Sequence, residues 1–229
     1  MAPATTRAAY HHDDLRRLID PEIVAVVGAS ETSGSFGERT LSNMADFSGK
    51  VYAINPKYQS LLGRPCVPTL SDLPESPDCV VLCVARPMVE GMIESAAAVR
   101  AGGVIVYASG FAETSKPDRV EAQQRLLQLA QRTGVRVVGP NCVGLANTRS
   151  GAGLNFMPGY ATMGIVADQS GSSRKAVRLV IRCCRACSAA SDSRIISRQE
   201  IPATSTSAIL SPISPRMTTR KRSSACSRG

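Results

Sequence analysis

The chain has no tryptophan, and its two histidines, His11 and His12, stand side by side near the start of its 229 residues. Cys184-Arg185-Ala186-Cys187 therefore has no second ligand pair at metal-site spacing, and no zinc site is expected. No apolar core follows the first residues in the manner of a secretory leader, and no run reaches the ~20 apolar residues that a membrane-spanning helix needs. A reduced, cytoplasmic setting without a membrane partner is expected. Aromatic residues are also scarce, and all nine fall at or before Tyr160. Residues 172–229 offer 13 serines, no aromatic and only short apolar runs such as Leu179-Val180-Ile181, too little to bury a core.

Charge divides at the same place. Residues 172–229 carry 12 of the 27 Lys and Arg against Asp192 and Glu200 alone, a net of +10, which leaves 15 basic and 16 acidic residues and a net of −1 for residues 1–171. The overall +9 thus belongs to the tail. The Thr-Arg-Lys-Arg cluster ending at Arg222 reads as a solvated tail rather than a nucleic-acid patch, and no nucleic-acid partner is expected.

What is present is a regular alternation. Apolar runs at Ile23–Val27, Val51–Ile54, Cys79–Ala85, Val104–Tyr107 and Val135–Val138 have the look of parallel strands buried on both faces. Cys79 and Cys83 fall inside such a run, where reduced cysteine behaves as a small hydrophobe. Helical patterns cover Gly37–Phe47, Pro87–Ala101 and Pro117–Thr133, the last with Val120, Leu126, Leu127, Leu129 and Ala130 able to share one face. The alternation predicts an α/β fold with a doubly wound parallel sheet, and residues 1–171 are long enough to bury its core.

Four short segments follow these runs: Gly28-Ala29-Ser30, Asn55-Pro56-Lys57, Ser109-Gly110-Phe111 and Gly139-Pro140-Asn141-Cys142. In an open α/β sheet, ligands bind beyond the carboxyl ends of the strands, so residues just after successive strands converge on one crevice. A nucleotide-type ligand is expected there. The usual dinucleotide spacing G-x-G-x-x-G is absent, because Gly34 and Gly37 follow Gly28 at six and nine residues. Where an acid would take a ribose diol, Lys57 offers an ammonium that suits a phosphate. Coenzyme A, with its additional phosphate near the adenosine ribose, is favoured over NAD; an NAD-dependent oxidoreductase remains the alternative from another class.

Residues 15–171 resemble the coenzyme A-binding domain of the nucleoside-diphosphate-forming acyl-CoA synthetases, relatives of the alpha subunit of succinyl-CoA synthetase. The resemblance runs through Leu18-Ile19-Asp20-Pro21 into Val24–Ser30, then Gly34-Ser35-Phe36-Gly37, Val51–Lys57, Leu62-Gly63-Arg64-Pro65-Cys66, Ser109-Gly110-Phe111, Gly139–Gly144 and Gln169-Ser170-Gly171. It implies a Rossmann-like domain over 15–160 after a polar leader at 1–14, with 161–171 opening a second domain. By the same resemblance, Gly28, Ala29 and Ser30 with the loop Gly34, Ser35, Phe36 and Gly37 hold the phosphates. Lys57, beside Asn55 and Pro56, meets the 3′-phosphate. The backbone around Val84, Ala85, Ser109, Gly110 and Phe111 lines the crevice, Pro140, Asn141 and Cys142 lie near the pantetheine end, and Gln169, Ser170 and Gly171 form a weak phosphate site. The ligand expected is coenzyme A or an acyl-CoA.

In that family, catalysis passes through a phosphohistidine fed by ATP in an ATP-grasp region. His11 and His12 precede the first strand and do not match that residue, so no catalytic residue is assigned, and ATP and Mg²⁺ would enter only through missing domains or an ATP-grasp partner subunit. The chain reads as an incomplete ligase, with a stand-alone binding module as the alternative. The resemblance stops at Gly171, where composition breaks. Residues 172–229 read as a disordered extension or as a frameshifted second domain, the latter suggested by Ala203-Thr204-Ser205-Thr206-Ser207-Ala208-Ile209, whose codons in another frame can yield an Asp-Val-Asp-Val-Ser-Asp run.

Overall fold

The computed structural model describes residues 12–160. Helix α1 (His12–Ile19) leads into strand β1 (Ile23–Val27), helix α2 (Phe36–Asn43) and strand β2 (Lys50–Ile54). A hairpin of β3 (Ser60–Leu61) and β4 (Arg64–Val67) follows, then β5 (Cys79–Leu82), α3 (Val89–Ala98), β6 (Gly103–Val106), α4 (Pro117–Thr133) and β7 (Arg136–Val138). The seven strands form one sheet in the order β3-β4-β2-β1-β5-β6-β7, parallel throughout except for the β3/β4 pair. The chain reverses its direction of winding between β1 and β5, which pair in register from Val24↔Cys79 to Val27↔Leu82. This is the doubly wound arrangement, and the reversal opens a crevice beyond the carboxyl ends of those two strands.

The apolar runs become strands because both faces of the sheet are covered. On β1, Val24 and Val26 point into one core with Leu18, Leu41, Met44, Leu145 and Leu154, from α1, α2 and the segment after β7. Ala25 and Val27 point into the other with Ile93, Ala96, Ala122, Leu126 and Leu129, from α3 and α4. Cys79 is fully buried in the first core and Cys83 packs against it. Burial pushes the Cys83 thiol up to about 12, so it stays protonated as a packing group.

Several elements depart from the expectation. The leader's end is helical: α1 starts at His12 and seats Leu18 against Gly103 of β6, while His11 and the rest of the leader lie outside the described residues. The β3/β4 hairpin escapes periodicity because its strands have two and four residues and Pro65 interrupts the second; Leu62 (φ 50°) and Gly63 (φ 73°) close it as a two-residue turn. Helix α2 ends at Asn43 rather than Phe47, since the Met44, Ala45 and Phe47 amides turn back to Leu41, Ser42 and Met44. Strand β5 stops at Leu82, and Arg86–Met88 form a 3₁₀ turn before α3, which ends at Ala98 rather than Ala101. Helix α4 has the expected bounds, with Pro117 at its first position and Gly134 (φ 73°) closing it in the left-handed conformation. Its buried face is Ala122, Leu126 and Leu129, whereas Leu127 is 41% exposed.

Candidate functional site

Five loops reach the crevice, after β1, β2, β5, β6 and β7. The β1 loop is held by close backbone approach. Gly28 has φ +77°, and a Cβ there would lie 2.6 Å from the Cys83 carbonyl oxygen, so only glycine lets the β1 and β5 loops meet. A Cβ on Gly37 would lie 2.7 Å from Ala29 Cα, which brings the start of α2 directly against the turn. Ser35 caps α2 by accepting from the Glu38 amide at 3.2 Å, and its hydroxyl is 3.1 Å from that of Ser30. Ala29 is buried and takes part through its carbonyl alone, which accepts from Asn55 Nδ2 at 2.6 Å. The β2 loop is thereby tied to the β1 loop. Asn55 Oδ1 in turn accepts from the Lys57 amide at 2.9 Å, so Pro56 and Lys57 stand exposed at the rim.

On the other side of the reversal, Val84 packs toward α3 and Ala85 is exposed. Ser109 is exposed at the rim, while Gly110 adopts φ +93°. The amides of Gly110 and Phe111 both donate to one carboxylate, Glu113, at 2.5 and 3.0 Å. After β7 comes a cis Gly139-Pro140 bond, then Asn141, whose amide donates to Ala108 O at 2.9 Å and fastens the β7 loop to the β6 loop.

Two side chains of these segments turn inward, one of them that of the expected lining residue Cys142. Phe111 is 1% exposed in the α3/α4 core. Cys142 is buried with its thiol toward the carbonyls of Val106 at 3.6 Å and Val138 at 3.7 Å, so the thiol packs beneath the β7 loop rather than lining the crevice. Gly34 also differs, because its amide already donates to Glu38 Oε2 at 3.0 Å. Gln169, Ser170 and Gly171 lie outside the described residues, as do Cys184 and Cys187.

Sequence reasoning passed over the residues that shape these loops. Glu38 and Glu113 each satisfy loop amides with a carboxylate, and the i, i+3 spacing of Ser35 with Glu38 and of Gly110 with Glu113 is the signal that marks them. Phe36, 45% exposed, stacks on Phe156 at 4.1 Å and meets the Tyr107 ring edge-on at 6.2 Å. Thr40 Oγ1 donates to Phe36 O at 2.7 Å and lies 3.3 Å from the Tyr107 hydroxyl, which burial holds well above the ordinary tyrosine range. Tyr107 is thus a neutral, protonated core residue. Cations stand at the rim, among them Lys57 after β2 and Arg86 after β5. Among the described residues no three His, Cys, Asp or Glu gather in a way that could hold a metal ion, and no helix is long and apolar enough to cross a membrane.

A sheet reversal and a glycine-tight first turn define a Rossmann-like α/β domain. Residues 22–148 match the family model described as a CoA binding domain, and the chain belongs to that family. It is 36% identical over 160 residues to acetate-CoA ligase (ADP-forming) I of Archaeoglobus fulgidus, across 69% of this chain and 23% of that protein. It is 29% identical over 158 residues to the alpha subunit of acetate-CoA ligase (ADP-forming) II of Pyrococcus furiosus, across 68% of this chain and 34% of that one. Among solved structures, the dinucleotide-forming acetyl-coenzyme A synthetase 1 of Ca. Korarchaeum cryptofilum, in complex with phosphate and ADP, superposes with a TM-score of 0.60 at 35% identity, over 64% of this chain and 31% of that one. The chain therefore spans a quarter to a third of the relatives it matches, and it is a CoA-binding domain related to the ADP-forming acyl-CoA synthetases.

Proposed function

We propose that this chain binds coenzyme A as the N-terminal domain of an ADP-forming acyl-CoA synthetase, an acid-thiol ligase. The observation that carries the reading is the union of the β1 and β2 loops through the hydrogen bond from Asn55 to Ala29, which leaves the exposed Lys57 beside the glycine-tight turn. In this reading the turn Gly28–Ser30 and the start of α2 take the pyrophosphate, because a helix start capped by Ser35 adds a favourable dipole. Lys57 takes the 3′-phosphate. The pantetheine arm then runs past Val84, Ala85, Ser109 and Gly110 toward Pro140 and Asn141. Coenzyme A brings its own thiol, and this chain's residues bind and orient it. The ATP-dependent steps fall to an ATP-grasp partner subunit or to further domains, a division supported by the likeness to a ligase alpha subunit.

Calorimetry on the chain with coenzyme A, dephospho-coenzyme A and NAD tests this. Coenzyme A is expected to bind best. Removal of the 3′-phosphate, or Lys57→Ala, is expected to weaken binding about tenfold, and the two losses together are expected to cost little more than either alone. A preference for NAD overturns the reading in favour of an oxidoreductase. Thioester formation from an acid, ATP and coenzyme A by the purified chain alone would instead show that no partner is needed.

A further inference from the structure

Beyond Lys57, the crevice has a second cation to which nothing above gives a role. Arg86 follows β5 at the reversal, on the side away from the β2 loop, and is half-buried. Its stem lies over Gly110 of the β6 loop: the position of a Cβ on Gly110 is 3.5 Å from Arg86 Cδ and 3.8 Å from Nε. The arm thus runs over the Gly110 backbone, and φ +93° at Gly110 keeps the space between them free of a side chain. The two acidic residues nearest in sequence to this junction are engaged elsewhere. Glu113 is occupied by the amides of Gly110 and Phe111, and Glu90 is paired with Arg125 at 3.2 Å. Among the described residues the Arg86 guanidinium has no hydrogen-bond or ion-pair partner. A guanidinium is less strongly hydrated than an ammonium and offers a planar fork that fits an oxyanion with two hydrogen bonds.

We propose that Arg86 is a second anion receptor of the crevice, binding an oxyanion of the coenzyme A ligand, phosphate or acyl carboxylate, from the wall opposite Lys57. This rests on the crevice taking coenzyme A. Its setting differs from that of Lys57 in a useful way. Lys57 is exposed and reaches the nucleotide end, whereas Arg86 adjoins the β6 loop, which is itself fastened to Asn141 at the proposed pantetheine end.

The test compares the full chain with its Arg86→Ala and Arg86→Lys variants, by calorimetry against four ligands: coenzyme A, dephospho-coenzyme A, butyryl-CoA and succinyl-CoA. Arg86→Ala is expected to weaken at least one of them roughly ten- to a hundredfold, and to flatten the salt dependence of its binding. Arg86→Lys should fall between, since it keeps the charge and loses the fork. A loss shared by all four assigns the pyrophosphate, a loss absent only from dephospho-coenzyme A assigns the 3′-phosphate, and a loss confined to succinyl-CoA assigns an acyl carboxylate. Unchanged affinity for all four overturns the proposal, as does a loss that leaves the salt dependence intact, which would mark Arg86 as packing alone. If the unaltered chain binds none of the four, the coenzyme A reading fails and Arg86 falls with it; if it binds them and Arg86→Ala changes nothing, only the role of Arg86 falls. Thermal melts of each variant separate loss of fold from loss of contact.

Discussion

The two ends of the sheet treat charge in opposite ways. At the amino end, cations are matched to carboxylates: Arg17 to Asp78 at 2.6 Å, Lys50 to Glu75 at 2.7 Å, and Arg149 to Asp20. Asp78 also accepts from the amides of Glu22 and Ile23 at 2.9 and 3.1 Å, so one carboxylate closes the entry to β1. At the carboxyl end the acids are spent on backbone amides, Glu38 on Gly34 and Glu113 on Gly110 and Phe111. Among the described residues, Lys57 and Arg86 are left there without a carboxylate. Charge satisfied within the chain serves stability, whereas charge held in place without an internal partner is available to a ligand.

The largest effect expected from breaking this contrast is at Gly28. A side chain there costs about 1–2 kcal/mol for its positive φ, and a Cβ 2.6 Å from the Cys83 carbonyl adds overpacking of about 1–3 kcal/mol against backbone that cannot rotate away. Gly28→Ala should therefore lose roughly 2–5 kcal/mol of stability and most of the affinity for coenzyme A. Gly63→Ala is the matched control, with φ +73° but nothing within 4 Å of the new Cβ. It should cost about 1 kcal/mol and leave binding unchanged. Denaturant unfolding with calorimetry reads both, and equal losses would mean that the β1 and β5 loops are not held as closely as the geometry requires.

The middle effect belongs to the amino end. Asp78→Ala leaves the Glu22 and Ile23 amides without their acceptor and takes the carboxylate from Arg17, whose guanidinium keeps the carbonyls of Pro77 and Arg100; it should cost about 1–3 kcal/mol with coenzyme A affinity kept within about twofold. A large drop in affinity would show that the two ends are coupled through β1 and β5, and the division drawn above would fail.

The carboxyl-end strand positions were legible in the sequence because parallel strands covered on both faces read as unbroken apolar runs, as Val24–Val27 and Val80–Leu82 do. That the loops after β1 and β2 meet, tied by the hydrogen bond from Asn55 to Ala29, accords with a reading from the strand alternation. What could not be read were choices made by tertiary contact. Cys142 and Phe111 directly follow crevice segments, yet each turns inward because a buried space lies beneath it, and no local pattern reports that space. Arg86 sits one residue beyond the apolar run, where the chain reads as an ordinary helix start. Its lack of a partner depends on Glu113, 27 positions away, being engaged with backbone. The amino-end pairs were equally hidden, since Arg17 and Asp78 are 61 residues apart.

The smallest expected effect concerns pH and only the amino end. Hydrogen bonds from Lys50 and then Tyr52 hold the Glu75 carboxyl below its ordinary value of 4.5. A folded-state pKa below the unfolded one adds stability that is fully present above the unfolded value and fades as pH falls through the folded one. Lys50, raised above its ordinary 10.5 by the same hydrogen bond and charge, adds stability that is present below that value and fades as pH rises through the folded one. Lys50 is exposed and Glu75 partly so, which leaves the pair screened by solvent and the effect small. The difference in unfolding free energy between the unaltered chain and Glu75→Gln should stay constant near neutrality and close as pH falls from about 5 toward 3. Coenzyme A affinity of the folded chain should be the same for both at each pH, because nothing at the carboxyl end changes with Glu75. A stability difference that is flat across this range would remove the charge from the Lys50-Glu75 pair's role. A difference in affinity would show that protons taken up at one end of the sheet are felt at the other.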